Sequence, residues 1–317
     1  MTWQWQAFCP TGDRAYDSMV NVAENIKTMS EGRLIIESHP SGAIAPATKE
    51  LEAIGKGEIN GGQIAHEYGM YMFPQAYLFA AVSGGLTGVQ QYLWFLNGGG
   101  NELVSKMYKG TFNVENLGEV VIRNQEVWAH STKPLNSLAD MKGLKMRTSG
   151  ACADIVSKIG GAPTFLPGGE IYESASRGVI DAFEYVGADI NWTMGFHEVA
   201  DYLYLSPSRV AGAASHIIVN GDDWNELTPG LQKIVSEAVA AEPMRYFSIE
   251  IAADYVAIEK YVNYGTQVSP LPKDIDDAYI AAAKEFYAEE AAADPIKAEI
   301  LESMWAFQEL CDSFAIH

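Results

Sequence analysis

A strand-like segment at residues 3–8 leads into an amphipathic helical pattern over 13–30, then a β-branched run at 34–38 and a second helical stretch. In the first helix Ala15, Met19, Val22, Ile26 and Met29 recur at alternating steps of four and three, which makes one apolar stripe. Gly32 closes that helix, Pro40 and Gly42 mark the next turn, and Pro46 opens a helix that runs to Ile54 and stops at Gly57. Such alternation constrains the chain to an α/β fold: a mainly parallel sheet covered by helices.

An internal echo extends this to two units. Glu52, Lys56, Gly57, Ile59 and Asn60 match Glu173, Arg177, Gly178, Ile180 and Asp181 at a constant offset. Each set reads as a helix ended by glycine and followed at once by a buried strand. Residues 63–68 and 184–187 are then corresponding strand ends, where open α/β sheets bind ligands.

The chain of 317 residues is long enough for two domains. Its net charge of −20 repels nucleic acid and anionic lipid, so neither is expected as a partner. A small anionic ligand would need a cation of its own in the site. Cys9, Cys152 and Cys311 are widely spaced and read as isolated thiols. No apolar run approaches the ~18 residues of a membrane span, and no basic segment followed by an apolar one opens the chain. Either the protein is cytoplasmic or a leader has been removed.

Thr228 reads as an N-cap with Pro229 at the first helical position. Helical pattern then continues to Tyr264 for about 36 residues, or ~54 Å, longer than one lobe. Pro243 is expected to kink this spine, which would run across both lobes. A second helical region covers 275–310, interrupted at Asp294-Pro295. These features divide the chain into lobe I (1–121 plus about 209–245), lobe II with the spanning helix (122–208 plus about 246–275) and a C-terminal helical region (276–317).

Common catalytic motifs are missing. His197-Glu198 has Asp201 where a zinc helix needs histidine, and Gly98-Gly99-Gly100 has no following Lys-Ser/Thr to cradle phosphate. Of six scattered histidines, His66 alone lies near a strand end and is placed facing the cleft.

The blocks Gly143-Leu-Lys-Met-Arg147, Leu166-Pro-Gly-Gly-Glu-Ile-Tyr172, Gly178-Val-Ile-Asp-Ala-Phe-Glu-Tyr185, Met194-Gly-Phe-His197 and Asp201-Tyr-Leu-Tyr204 carry a family likeness. They resemble the solute-binding subunits of tripartite ATP-independent periplasmic (TRAP) transporters of DctP type, nearest the branch that takes 2-oxo acids. The resemblance implies a two-lobed, periplasmic-binding-protein-like α/β fold with a long helix spanning both lobes. It also implies a periplasmic or extracytoplasmic location, no catalysis, and delivery of a small 2-oxo or 2-hydroxy monocarboxylate to membrane permease subunits. Arg147 matches the family arginine that grips the carboxylate, a role suited to a planar two-pronged guanidinium. Glu184 matches a glutamate beside a bridging cation, and Tyr185 stands where the family usually has tryptophan. The family's other cation contact is a glutamine, for which Gln125 is the candidate. Sodium or calcium held by Gln125, Glu184 and Tyr185 would suit such oxygen ligation. Tyr68 and Tyr71 are candidates for the far end of the ligand, Trp192 and Phe196 for the lobe II wall, and Ser208 and Arg209 for contacts where the chain recrosses.

Two other readings stand beside this one: a ligand sensor that docks to a signalling receptor, and a lyase acting on oxo acids through Arg147 and Glu184. Met304, Trp305, Phe307 and Leu310 supply the C-terminal helix with apolar surface, and some oxo-acid relatives dimerise by exchanging that helix. A homodimer is therefore expected.

Overall fold

The strand β1 (Thr2–Ala7) precedes the helix Arg14–Met29, which Asp13 caps by accepting the Ala15 N–H at 2.8 Å. The helix buries Ala15, Met19, Val22 and Ile26 against the first sheet, as its periodicity requires. These features come from a computed structural model that describes residues 1–46 and 48–314. His317 lies outside the described residues.

The chain continues through β2 (Ile35–His39), β3 (Gly61–Ile64), β4 (Val114–Arg123), β5 (Ala129–Ser131), β6 (Lys145–Arg147), β7 (Ala162–Thr164), β8 (Ala182–Phe183), β9 (Tyr202–Leu205), β10 (Ala213–Asn220) and β11 (Gln267–Pro270). One sheet has the order β2-β1-β3-β10-β4, the other β11-β9-β5-β8-β6-β7. Both sheets are mainly parallel as expected, with a single strand in each, β10 and β5, running against the rest. In the first, β2, β1 and β3 are parallel, while β10 is antiparallel to β3 and to β4. In the second, β7, β6 and β8 are parallel, while β5 is antiparallel to β8 and to β9. The cause is the path of the chain. It leaves the first sheet after β4 and enters the second as β5, then leaves the second after β9 and returns to the first as β10. In each sheet the reversed strand is the one that follows a crossover.

The repeated sequence pattern corresponds to repeated geometry. Gly57 (φ 72°) follows the helix Glu50–Gly55 and leads to β3, and Gly178 (φ 69°) follows the helix Gly168–Ser176 and leads to β8. Both adopt the left-handed conformation that favours glycine. Two helix boundaries differ from expectation. The second helix starts at Glu50 and not at Pro46, because Thr48 has φ 69° and cannot belong to it. The long spine is two helices, Pro229–Ala240 and Glu242–Tyr264. Pro243 lies in the first turn of the second, where its missing N–H costs nothing, so it starts a helix and kinks none. This helix of 23 residues is ~34 Å long and makes a third connection, packing against β4 of lobe I and the helix Ala188–Thr193 of lobe II.

The C-terminal helices Lys273–Ala293 and Pro295–Ser313 strap the back of both lobes. The first packs on the helix Ala151–Lys158 of lobe II, and the second on Gly88–Asn97 and Gly100–Tyr108 of lobe I. Tyr279, Tyr287, Ile300, Leu301 and Met304 join one core shared by the lobes, so much of the predicted apolar stripe is covered by its own chain. No helix among the described residues is long and apolar enough to cross a membrane.

Candidate functional site

The charged residues that face each other between the lobes sit at or just beyond strand ends. Arg147 is the last residue of β6, and Glu184 follows β8 directly. Arg123 ends β4, Glu126 lies on the first crossover and Arg209 on the second.

Arg147 is held rigidly. Its Nε donates to the Leu166 carbonyl at 2.9 Å, and Nη1 donates to the Glu184 carbonyl at 2.7 Å and to Glu184 Oε1 at 3.2 Å. The other carboxylate oxygen of Glu184 lies 3.0 Å from Arg209 Nη1. Arg209 Nη2 then donates to Glu126 Oε2 at 2.8 Å and to the Val127 carbonyl at 2.7 Å. The result is a buried chain, Arg147–Glu184–Arg209–Glu126, with Arg147 6%, Glu184 2% and Arg209 2% exposed. Burying such charges is costly unless each is paired, and here each one is, although among the described residues Arg209 Nε has no hydrogen-bond partner. Burial opposes the charge on Arg209, but Glu184 and Glu126 outweigh it and raise its pKa. Burial also raises the pKa of Glu126, partly offset by Arg209.

Aromatic rings flank the guanidinium of Arg147. Its central carbon lies 5.6 Å from the Tyr185 ring centroid and 6.0 Å from that of Phe165. Tyr185 sits directly over the backbone of Gly168, where an added Cβ would fall 2.6 Å from the ring. In lobe I, Tyr68 meets the Phe8 ring edge-on with centroids 6.0 Å apart. Burial, Glu67 and Tyr185 together push the Tyr68 hydroxyl up to about 12.

Arg147, Glu184, Tyr185 and Arg209 therefore converge. The other predicted site residues do not join them. Gln125 is half-buried on the first crossover, and among the described residues its side chain makes no hydrogen bond. Its neighbour Glu126 is the one tied to the cluster. Tyr71 is exposed, donates to Glu52 Oε2 at 2.8 Å and lies under Lys49, which makes it a lobe I surface residue. Trp192 stacks on His197 with ring centroids 3.8 Å apart and meets Tyr261 of the spanning helix edge-on. Phe196 is fully buried beneath Tyr185 and Phe183. Ser208 is buried, its N–H donating to Ser206 Oγ at 3.0 Å. His66 does not face the cleft; it is buried between Tyr108 and His216, at 2.6 and 2.9 Å, and burial holds its pKa down to about 3.

Sequence reasoning missed Arg123, Glu126, Glu67 and Glu250. Arg123 Nη1 donates to Glu250 Oε1 at 2.8 Å, joining β4 to the spanning helix. Among the described residues, Glu67 Oε2 is buried without a hydrogen-bond partner, and burial raises its pKa. A charged residue directly after the apolar run Val120-Val-Ile122 was the available signal for Arg123. Among the described residues, no cluster of three or more His, Cys, Asp and Glu is placed to hold a metal.

Two α/β lobes joined by crossovers around a charged cleft define a two-lobed solute-binding protein. The DctP family, bacterial extracellular solute-binding protein family 7, matches residues 7–294, and the chain belongs to that family. A monocarboxylate 2-oxoacid-binding periplasmic protein of Nostoc sp. is 27% identical over 307 residues, covering 97% of this chain and 84% of that protein. A TRAP periplasmic solute-binding protein from Colwellia psychrerythraea, with bound calcium and pyruvate, superposes with a TM-score of 0.88 at 30% identity, covering 99% of this chain and 95% of that one. A TRAP solute-binding protein from Bordetella bronchiseptica, a mixed-occupancy dimer with copurified calcium and picolinate, gives 0.83 at 25% identity, covering 99% and 93%. These relatives are described as binding proteins, not enzymes.

Proposed function

We propose that this protein is a periplasmic receptor that closes on a small 2-oxo or 2-hydroxy monocarboxylate and hands it to TRAP membrane permease subunits. One observation carries the reading: Arg147 is buried and fixed by the Leu166 and Glu184 carbonyls at the carboxyl end of a strand. A guanidinium locked in that way is preorganised for a carboxylate, which it binds through charge-assisted bonds that lysine cannot duplicate. The pyruvate and 2-oxoacid ligands of the relatives suggest the acid class.

A cation bound together with the ligand fits the donor set. Glu184 accepts one guanidinium on each oxygen, which leaves lone pairs free, and Glu126 and the Tyr185 backbone add oxygen donors nearby. Sodium or calcium would neutralise the repulsion between the ligand carboxylate and Glu184. With few protein ligands on offer, the ion would depend on ligand oxygens to complete its shell. Glu126 is a stronger second contact than Gln125, because it already reaches the cluster. A homodimer through the end of the last helix is supported by the exposure of Leu310 and Phe314.

Calorimetric titration with pyruvate, lactate and succinate, with recovery of the ligand afterwards, tests the reading. Monocarboxylates should bind with a 1:1 heat and return unchanged. Turnover, or preference for succinate, would overturn it.

A further inference from the structure

Phe165 is 68% exposed, among the most exposed large apolar side chains described, yet its neighbours on both sides are fixed to Arg147. Thr164 pairs with Arg147 in the parallel register of β6 and β7, and the Leu166 carbonyl accepts from Arg147 Nε. The segment is clamped, so Phe165 is presented beside the guanidinium by design of the backbone. Tyr185 flanks the same guanidinium at 5.6 Å, and its position depends on the bare backbone of Gly168. An acid whose carboxylate sits on Arg147 therefore lies beside two aromatic rings, each about 6 Å from the guanidinium that holds it. A methyl group covers little of either, whereas an aromatic or branched tail removes apolar surface of both from water.

We infer that Phe165 is a specificity-determining residue and that the ligands bound most tightly are 2-oxo acids with an aromatic or branched apolar side chain, in preference to pyruvate. The inference rests on the proposed carboxylate role of Arg147. It extends that role by naming the group that selects the rest of the molecule.

The test is calorimetric titration of the full chain and of Phe165→Ala and Phe165→Leu with pyruvate, 4-methyl-2-oxopentanoate and phenylpyruvate, with thermal melts to verify folding. The wild type should bind phenylpyruvate and 4-methyl-2-oxopentanoate at least tenfold tighter than pyruvate. Phe165→Ala should compress those ratios by about tenfold, a change of about 1.4 kcal/mol. Phe165→Leu should keep most of the preference for 4-methyl-2-oxopentanoate and lose more of that for phenylpyruvate. Wild-type binding that favours pyruvate, or ratios unchanged in Phe165→Ala, would overturn the inference and leave the acid-receptor reading intact. Failure of the wild type to bind any of the three acids would overturn both.

Discussion

Arg14, at the start of the first helix of lobe I, forms a 2.7 Å ion pair with Asp189 of lobe II, in the helix that packs against the spanning helix. The pair is partly exposed, so its worth is about 1 kcal/mol or less. Because it joins the two lobes, that energy acts on closure. Arg14→Ala should therefore raise the ligand off-rate about threefold to fivefold with little change in melting temperature. Stopped-flow release of ligand measures this, and an unchanged off-rate would show that the pair does not hold the lobes together.

Removing Arg147 should cost ~3–5 kcal/mol of binding, or roughly 200-fold to 5,000-fold in affinity, the penalty for breaking a buried ion pair. The side chain also satisfies two carbonyls, so Arg147→Ala should lower stability by about 1–3 kcal/mol as well. Sequence reasoning alone gave no reason for that second loss. Arg147→Lys should recover part of the affinity only. Near-normal titration of a folded Arg147→Ala protein would remove Arg147 from the site.

Asp254 on the spanning helix accepts the Asp189 N–H at 2.9 Å, and burial, with help from Glu250 and Asp189 and against Arg14, pushes its carboxyl up to about 6. The unfolded chain ionises it near 3.8. Its contribution to stability is complete below that value and is lost as pH rises through about 6. Asp254→Asn should keep the accepted hydrogen bond and gain about 1–3 kcal/mol at pH 8, with no gain at pH 3.5. Paired melts at the two pH values check the sign.

Gly168→Ala would place a methyl group 2.6 Å from the edge of the Tyr185 ring, too close for both to stay. Tyr185 must then swing aside, and ligand affinity should fall about tenfold while the fold persists. Equal affinity in the variant would mean that Tyr185 does not shape the ligand's surroundings.

If a cation is bound with the ligand through Glu184, exhaustive chelation in sodium-free buffer should weaken binding at least tenfold, and added calcium or sodium should restore it. Glu126→Gln should shift the preference toward the monovalent ion, by reducing the negative charge around it. Affinity that ignores both treatments would show that the arginines alone hold the acid.

Much of this was legible because it is local. The stripe from Ala15 to Ile26 and the helix break at Asp294-Pro295 each follow from neighbours in sequence. Arg147 and Glu184 were legible through the family likeness of their blocks. What was not legible depends on long-range pairing. Nothing near Gln125 indicates that the next residue, Glu126, is the one turned toward an arginine 83 positions away. Trp192 and His66 looked suited to a cleft, but their surroundings are set by Tyr261 on a distant helix and by His216 on the returning strand. The antiparallel strands were hidden for the same reason, since no local pattern announces a crossover.

The placement of β10 between β3 and β4 has a consequence for folding. The first sheet cannot be completed by residues 1–123 alone, because the strand that separates and pairs β3 and β4 is Ala213–Asn220. Without it, β3 and β4 face each other with unpaired backbone edges, the kind of surface that recruits other chains. Lobe I is therefore not an autonomous folding unit of the N-terminal segment, and its closure waits on a chain that has crossed to the second lobe and come back.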